Sequence, residues 1–393
     1  MKAVEIKPNV YWVGGIDWNL RNFHGYITPR GSTYNAYLII DEKITLIDTV
    51  KHYLIDELKE RISSVVDLKD IDIVVSNHVE MDHSGSLPKI MDMMPDATLV
   101  TSKNGERGLK KHYHKNWNFH VVDGEEPLSI GKRTLDFVSI PMVHWPDSMV
   151  TYSKTDKILF PNDAFGQHIA SSQRFDDQLD WGILKEEAAT YYANIVLPYN
   201  SQVQKALQAL SSLDFDLIAP SHGIIWKKHV KDIINLYQTW STNQTKPTAI
   251  ILYDTMWGST EKMAYALLSG LEEQGINVRL RHVQKTPNSE IVTDILEAEL
   301  ICIGSPTLNN NMLPSISGFL TYLKGLRPQK RTGFVFGSYG WGGQAIKLIE
   351  NTLDGLSWDF PEKSLNINYI PQEKDLGDIK NIGKKLAKKI KKE

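Results

Sequence analysis

The strongest constraint on the fold is a change of rhythm near Pro247. Up to about residue 235, short β-rich runs dominate, among them "TYNAYLII", "ITLIDTV", "IDIVVSN", "TLDFVSIP", "KILFPND" and "FDLIAPS". Helical patterns such as "HYLIDELKERISSV" and "SQVQKALQALSSL" interrupt them, which points to two sheets flanked by helices. After the polar segment "STNQTKPT" the order becomes regular. "AIILYD", "NVRLRHV", "ELICIGSP" and "RTGFVFGSY" alternate with helical stretches such as "STEKMAYALLSGLEEQG", as parallel βαβ units do. Two α/β domains are therefore expected, residues 1–246 and 247–393.

Composition removes several classes of function. The apolar runs are strand-sized and none approaches the ~20 residues of a membrane span. The start "MKAVEIKPNV" lacks the apolar centre of a signal peptide, so a cytoplasmic protein with no membrane role is expected. A formal charge of −3 gives no global attraction to nucleic acid. The basic run "KNIGKKLAKKIKKE" reads as the solvated face of a last helix, with a docking patch for an acidic partner as the alternative. The single cysteine, Cys302, lies inside "ELICIGSP" and reads as a core strand residue. One thiol cannot build an iron–sulfur cluster or a fused rubredoxin-like centre, so a metal here must use nitrogen and oxygen ligands.

Candidate ligands of that kind recur just beyond apolar strands. His78, Glu80, Asp82 and His83 follow "IDIVVSN", and His144 follows "LDFVSIPMV". Asp163 ends "KILFPND", and His222 follows "FDLIAPS". Strand ends are where a sheet protein can converge side chains from distant segments onto one rim. In an extended turn positions two apart share a side, so His78, Glu80 and Asp82 can face one pocket.

The succession "HVEMDH", "VHWPDSMVTY", "FPNDAF" and "SHGIIWK" resembles the metallo-β-lactamase-like domain of the flavodiiron proteins, or A-type flavoproteins, and the likeness extends over essentially the whole chain. It implies an N-terminal αββα sandwich. The broader hydrolase superfamily carries H-x-H-x-D-H at the first motif, and this chain has Glu80 at the second histidine position. Imidazole-rich sites suit zinc, whereas imidazole mixed with carboxylate suits iron or manganese. The resemblance assigns one iron to His78, Glu80 and His144 and the other to Asp82, His83 and His222, with Asp163 bridging and an oxygen species as a further bridge. The irons would sit roughly 3.5 to 4 Å apart, as in other two-metal sites. In parts of the family the histidine matching His83 is displaced and water takes its place. His24 and Tyr192 are candidates to donate hydrogen bonds to a bound diatomic, with ordinary packing as the alternative, and Trp145 reads as a packing wall that keeps the pocket dry.

In the second half, "ILYDTMWGSTEKMA" reads as strand, hydroxyl- and glycine-containing loop, then helix. The amides and positive dipole end of such a helix suit a phosphate. It lacks the Gly-Lys-Ser/Thr ending of a P-loop and the G-x-G-x-x-G of dinucleotide folds. Two further loops, "GSPTLNNNMLP" and "GSYGWGGQA", follow later strands. This half resembles flavodoxin, a doubly wound parallel sheet, with FMN as the implied ligand. Thr255, Met256, Trp257, Gly258, Ser259 and Thr260 would cradle its phosphate. Pro306, Thr307, Leu308, Asn309, Ser338, Tyr339, Gly340 and Trp341 would border the ring, with Tyr339 or Trp341 stacking on it.

The resemblance implies an oxidoreductase that reduces dioxygen to water and/or nitric oxide to nitrous oxide, fed by an external donor such as rubredoxin or a reduced deazaflavin coenzyme. It also implies a head-to-tail homodimer or a dimer of dimers. A binuclear hydrolase with an accessory flavodoxin domain and a simple electron carrier are the alternatives, and Glu80 and the set of flavin loops weigh against the first.

Overall fold

The computed structural model describes residues 1–122 and 126–391. Its first sheet has seven strands, in spatial order Val4–Lys7, Val10–Trp12, Tyr37–Ile39, Ile44–Ile47, Ile71–Ser76, Thr98–Ser102 and Phe119–Val122. Pairing is antiparallel as far as Ile44–Ile47 and parallel beyond it. The second sheet has five, Leu128–Ser129, Thr134–Ser139, Met149–Ser153, Ile158–Phe160 and Leu217–Ile218, and only the last pair is parallel.

Successive residues of a strand point to opposite faces, and the central strands use both. Ile47, Val75 and Val100 join Leu135, Met149 and Phe160 in the core between the two sheets. Their neighbours Leu46, Val74 and Leu99 pack the other way, against Leu58, Ile62, Leu87, Ile90 and Leu109 of the covering helices. Because both faces are buried, these strands read as continuous apolar runs rather than alternating ones. The layers are those of the expected sandwich.

The third sheet is all parallel, in the order Asn277–His282, Lys246–Tyr253, Ala298–Gly304, Thr332–Tyr339 and Leu365–Asn368. Written by sequence this is 2-1-3-4-5, the flavodoxin-like doubly wound order, whose ligand crevice lies outside the strand carboxyl ends where the winding reverses. Ile251, Cys302 and Phe334 form one register row, buried against Met263, Leu267 and Leu386. Burial pushes the Cys302 thiol well above its usual range. The last helix, Glu373–Lys391, buries Ile379, Leu386 and Ile390, while Lys385 and Lys389 stay exposed and Lys380 and Lys384 pair with Glu273. Its basic run is thus a solvated face.

Two compact units result. One comprises Met1–Tyr191 with Tyr199–Gln238, the other Tyr192–Pro198 with the chain from Thr239 onward. Side chains explain the division ahead of Pro247: Trp240 Nε1 donates to Glu297 Oε1 at 3.0 Å, and the Tyr322 hydroxyl donates to Asn194 Oδ1 at 2.7 Å. Among the described residues no helix is long and apolar enough to cross a membrane.

Candidate functional site

The rim of the first unit collects seven side chains from four segments. Beyond strand Ile71–Ser76 the chain turns into a short helix, Met81–Ser84, that carries Asp82 and His83, with Glu80 just before it. The turn is held by hydrogen bonds from Ser76 Oγ to the His78 carbonyl (3.2 Å), from the Val79 amide to Asp147 (2.8 Å) and from Ser84 Oγ to the Val79 carbonyl (2.7 Å). Asp163 lies three residues past strand Ile158–Phe160, and the Ser221 hydroxyl donates to its Oδ1 at 3.3 Å. Gly223, directly after His222, has φ +79° and sits so close to Gln167 that a Cβ would collide with it. Only glycine fits a positive φ with such an approach without strain.

Two ligand groups form, and Asp163 faces both. His78, Glu80, His144 and Asp163 each offer an atom to the first; Asp82, His83 and His222 form the second. On the first side Asp163 Oδ2 lies 3.2 Å from His144 Nε2 and 3.5 Å from His78 Nε2, and Glu80 Oε2 lies 3.3 Å from both nitrogens. On the second, Asp163 Oδ1 lies 2.9 Å from His83 Nε2 and 3.3 Å from His222 Nε2, and Asp82 Oδ2 is 3.2 Å from His222 Nε2. His83 therefore turns inward with the others.

The outer nitrogens fix two of the four rings, those of His222 and His78. His222 Nδ1 faces the Thr33 carbonyl at 2.9 Å, and since a carbonyl only accepts, Nδ1 keeps its proton and Nε2 is the nitrogen that a cation would take after displacing the proton there. His78 Nδ1 is held in the same way by Asp147 Oδ2 at 2.9 Å. Burial opposes a charged imidazolium at His144 and His222, but Asp163 with Glu80, and Asp163 with Asp82, outweigh it and raise them to about 9 and about 10. At Glu80 and Asp163 burial favours the neutral acid, yet the surrounding histidines hold both carboxyls well below the usual range.

Such a set fits cations. Both oxygens of Asp82 and Oδ2 of Asp163 are buried, and among the described residues no hydrogen-bond donor is aligned on them. A buried carboxylate left this way is costly, and metal ions would satisfy it while displacing protons from the imidazoles.

Around the cluster, Trp145 stands edge-on to His78 with ring centroids 5.0 Å apart, a wall as expected. His24 is at the mouth, 74% exposed, with Nε2 3.4 Å from Glu80 Oε1. Tyr192 requires a correction. Its ring packs on Trp240 at 5.1 Å, while that of the preceding Tyr191 lies 5.9 Å from His222. Consecutive helical positions do not share a face, so only one of the pair could look inward. Burial and the nearby Asp163 keep the Tyr191 hydroxyl protonated. Sequence reasoning also missed His168, which is fully buried, 4.9 Å from the His222 ring and hydrogen-bonded through Nδ1 to Ser32 Oγ at 2.7 Å. It follows no strand directly, so the strand-end signal passes over it.

In the second unit a cavity of about 710 Å³ opens at the strand carboxyl ends. It is lined by Thr255, Met256, Trp257, Ser259, Pro306, Thr307, Leu308, Asn309, Ser338, Tyr339, Gly340 and Trp341, and also by Asn310, Gly342, Tyr369 and Ile370. Gly258 and Thr260 are not in the lining. Gly258, at φ +83°, precedes helix Ser259–Glu272, and the fully buried Thr260 hydroxyl lies 3.0 Å from Ser338 Oγ, joining two loops. The first-turn amides of that helix adjoin the crevice, and the mostly apolar wall with a few polar groups suits a flat aromatic ligand carrying a phosphate.

Residues 33–223 match the ODP family beta lactamase, and residues 251–382 match flavodoxin. The chain is 44% identical to the nitric oxide reductase of Moorella thermoacetica, over 99% of each chain. It superposes on the rubredoxin oxygen:oxidoreductase of Desulfovibrio gigas with a TM-score of 0.97 and 40% identity, covering 100% of this chain and 99% of that one. The flavodiiron protein of Giardia intestinalis gives the same TM-score with 36% identity, covering 100% and 97%.

Proposed function

Because this chain belongs to the flavodiiron proteins, we propose that it is an oxidoreductase reducing dioxygen to water and/or nitric oxide to nitrous oxide. His78, Glu80 and His144 would hold one iron, Asp82, His83 and His222 the other, and Asp163 would bridge them. The observation that carries this reading is the placement of the two oxygens of Asp163, each toward a different group of histidines. Bound in these sites, the iron pair and FMN supply the storage of electrons that reduction of a diatomic gas requires.

What the chain contributes follows from its own groups. Glu80, Asp82 and Asp163 bring negative charge that imidazoles alone would not, which favours ions that reach a higher oxidation state over zinc. Asp147 and the Thr33 carbonyl hold two of the histidines in the tautomer that faces inward. Trp145 and Tyr191 close off the walls, and His24, exposed at the mouth, is placed to hold or pass on a proton beside Glu80. In the second unit Thr255, Ser259 and the following amides would take the FMN phosphate. A head-to-tail dimer or dimer of dimers, as the resemblance implies, would cover the exposed indoles of Trp257 and Trp341 at this cavity. Rubredoxin or a reduced deazaflavin coenzyme would supply the electrons.

Metal and flavin analysis of the purified chain, followed by anaerobic stopped-flow mixing of the reduced protein with each gas, tests the reading. Two irons and one FMN per chain with turnover of either gas support it. Two zincs, or no reoxidation by either gas, would refute it.

A further inference from the structure

The flavin crevice rests on a buried carboxylate that does not line it. Asp254, the residue after strand Lys246–Tyr253, is 0% exposed. Its Oδ1 accepts from the Thr255 amide at 2.7 Å. Its Oδ2 accepts from Gln284 Nε2 at 2.7 Å and from the hydroxyl of Ser315, in the first turn of helix Pro314–Leu326. His282 Nε2 stands 3.6 Å from Oδ1, and the Asp254 amide donates to the Gly304 carbonyl at 3.1 Å. Thr255 in turn accepts from the Gly258 amide through Oγ1 at 3.1 Å, which closes the turn.

This placement is costly in electrostatic terms. A buried anion directly before a loop shaped for a phosphate dianion repels the ligand, and an amide of the same shape would not. An ionised carboxylate, however, is acceptor-only, so it alone can take the Thr255 amide on one oxygen and two donors on the other. We propose that Asp254 is a positioning residue for FMN, which fixes the Thr255–Gly258 turn in its phosphate-receiving shape by tying it to Gln284 and Ser315. Asp254 itself touches no part of the ligand. The inference rests on the reading of the cavity as the FMN site.

The test uses the full-length chain freed of flavin and titrated separately with FMN and with riboflavin, which lacks the phosphate, by quenching of flavin fluorescence. Asp254→Ala should raise the FMN dissociation constant about tenfold or more, the cost of leaving buried donors unmet, and change that for riboflavin less than about threefold. Asp254→Asn should lie between, because its amide keeps an acceptor for Thr255 but faces Gln284 and Ser315 with a donor. Equal loss for both flavins, or an FMN affinity within about threefold of native in Asp254→Ala, would overturn the inference. If Asp254→Ala does not fold, a selective loss for FMN in Asp254→Asn supports it, and no selectivity overturns it. Failure of the native chain to bind FMN would overturn the reading of the cavity, and the inference with it.

Discussion

Replacing Asp147 by alanine should loosen one iron and spare the other. The Asp147 side chain is 5% exposed, and a single oxygen, Oδ2, takes both the His78 Nδ1 proton (2.9 Å) and the Val79 amide (2.8 Å). It thereby sets the ring angle of His78 and the entry of the chain into the turn that carries Glu80. One hydrogen bond to a charged group contributes about 1.5–3 kcal/mol. Loss of the carboxylate behind a ligating histidine costs about 10–100-fold in metal affinity, or about 1.4–2.8 kcal/mol, so the two routes to the magnitude agree. The Asp82, His83 and His222 group takes its orientation from elsewhere, His222 from the Thr33 carbonyl. Anaerobic ferrous titration against a competing chelator should therefore show one site weakened by about 10–100-fold and the other within about threefold of native. FMN content serves as an internal check of folding. Equal weakening of both sites, or of neither, would show that Asp147 does not orient His78 in the way its hydrogen bonds indicate.

Glu80→His should shift the centre from iron toward zinc and lower gas reduction by at least about tenfold, read by metal analysis and oxygen consumption; full iron content with native turnover would contradict the role given to Glu80. Glu187, 7% exposed in its side chain beside Arg30, is pushed up to about 7 by burial against the partial relief of that guanidinium. The folded state then keeps a proton that the unfolded state gives up near pH 4.5, so stability should fall by up to about 3 kcal/mol as pH rises from about 4.5 to 7. Glu187→Gln should flatten that part of the curve in denaturant titrations across pH, and parallel curves would count against it. Tyr191→Phe should alter gas turnover more than Tyr192→Phe, since the first ring faces His222; steady-state rates at saturating donor decide the order.

The parts of the site that could be read from sequence share one property: an apolar run ends and a polar side chain follows. Strand Ile71–Ser76 before His78 and strand Ile158–Phe160 before Asp163 are of this kind, and so are the first two loops that line the cavity of the second unit. The parts that could not be read depend on register or on distant chain. Tyr191 and Tyr192 are equivalent letters until the packing of their helix decides which faces inward. Tyr369 and Ile370 follow the last parallel strand without any glycine to announce a loop, yet they line the cavity. Residues 192–198 group with the second unit although they lie within the first by sequence, and composition has no way to register that.

The solitary thiol also bears on durability. Nitrosation and sulfenic acid formation need an accessible thiolate, and Cys302 offers neither exposure nor charge. A catalyst of dioxygen or nitric oxide chemistry built this way has its chemical wear displaced onto thioethers. Met81 and Met256, 55% and 44% exposed, stand in the turn that carries Glu80 and Asp82 and at the cavity of the second unit, so sulfoxide at these two positions is the ageing mark that peptide mass mapping of a worked enzyme should reveal first.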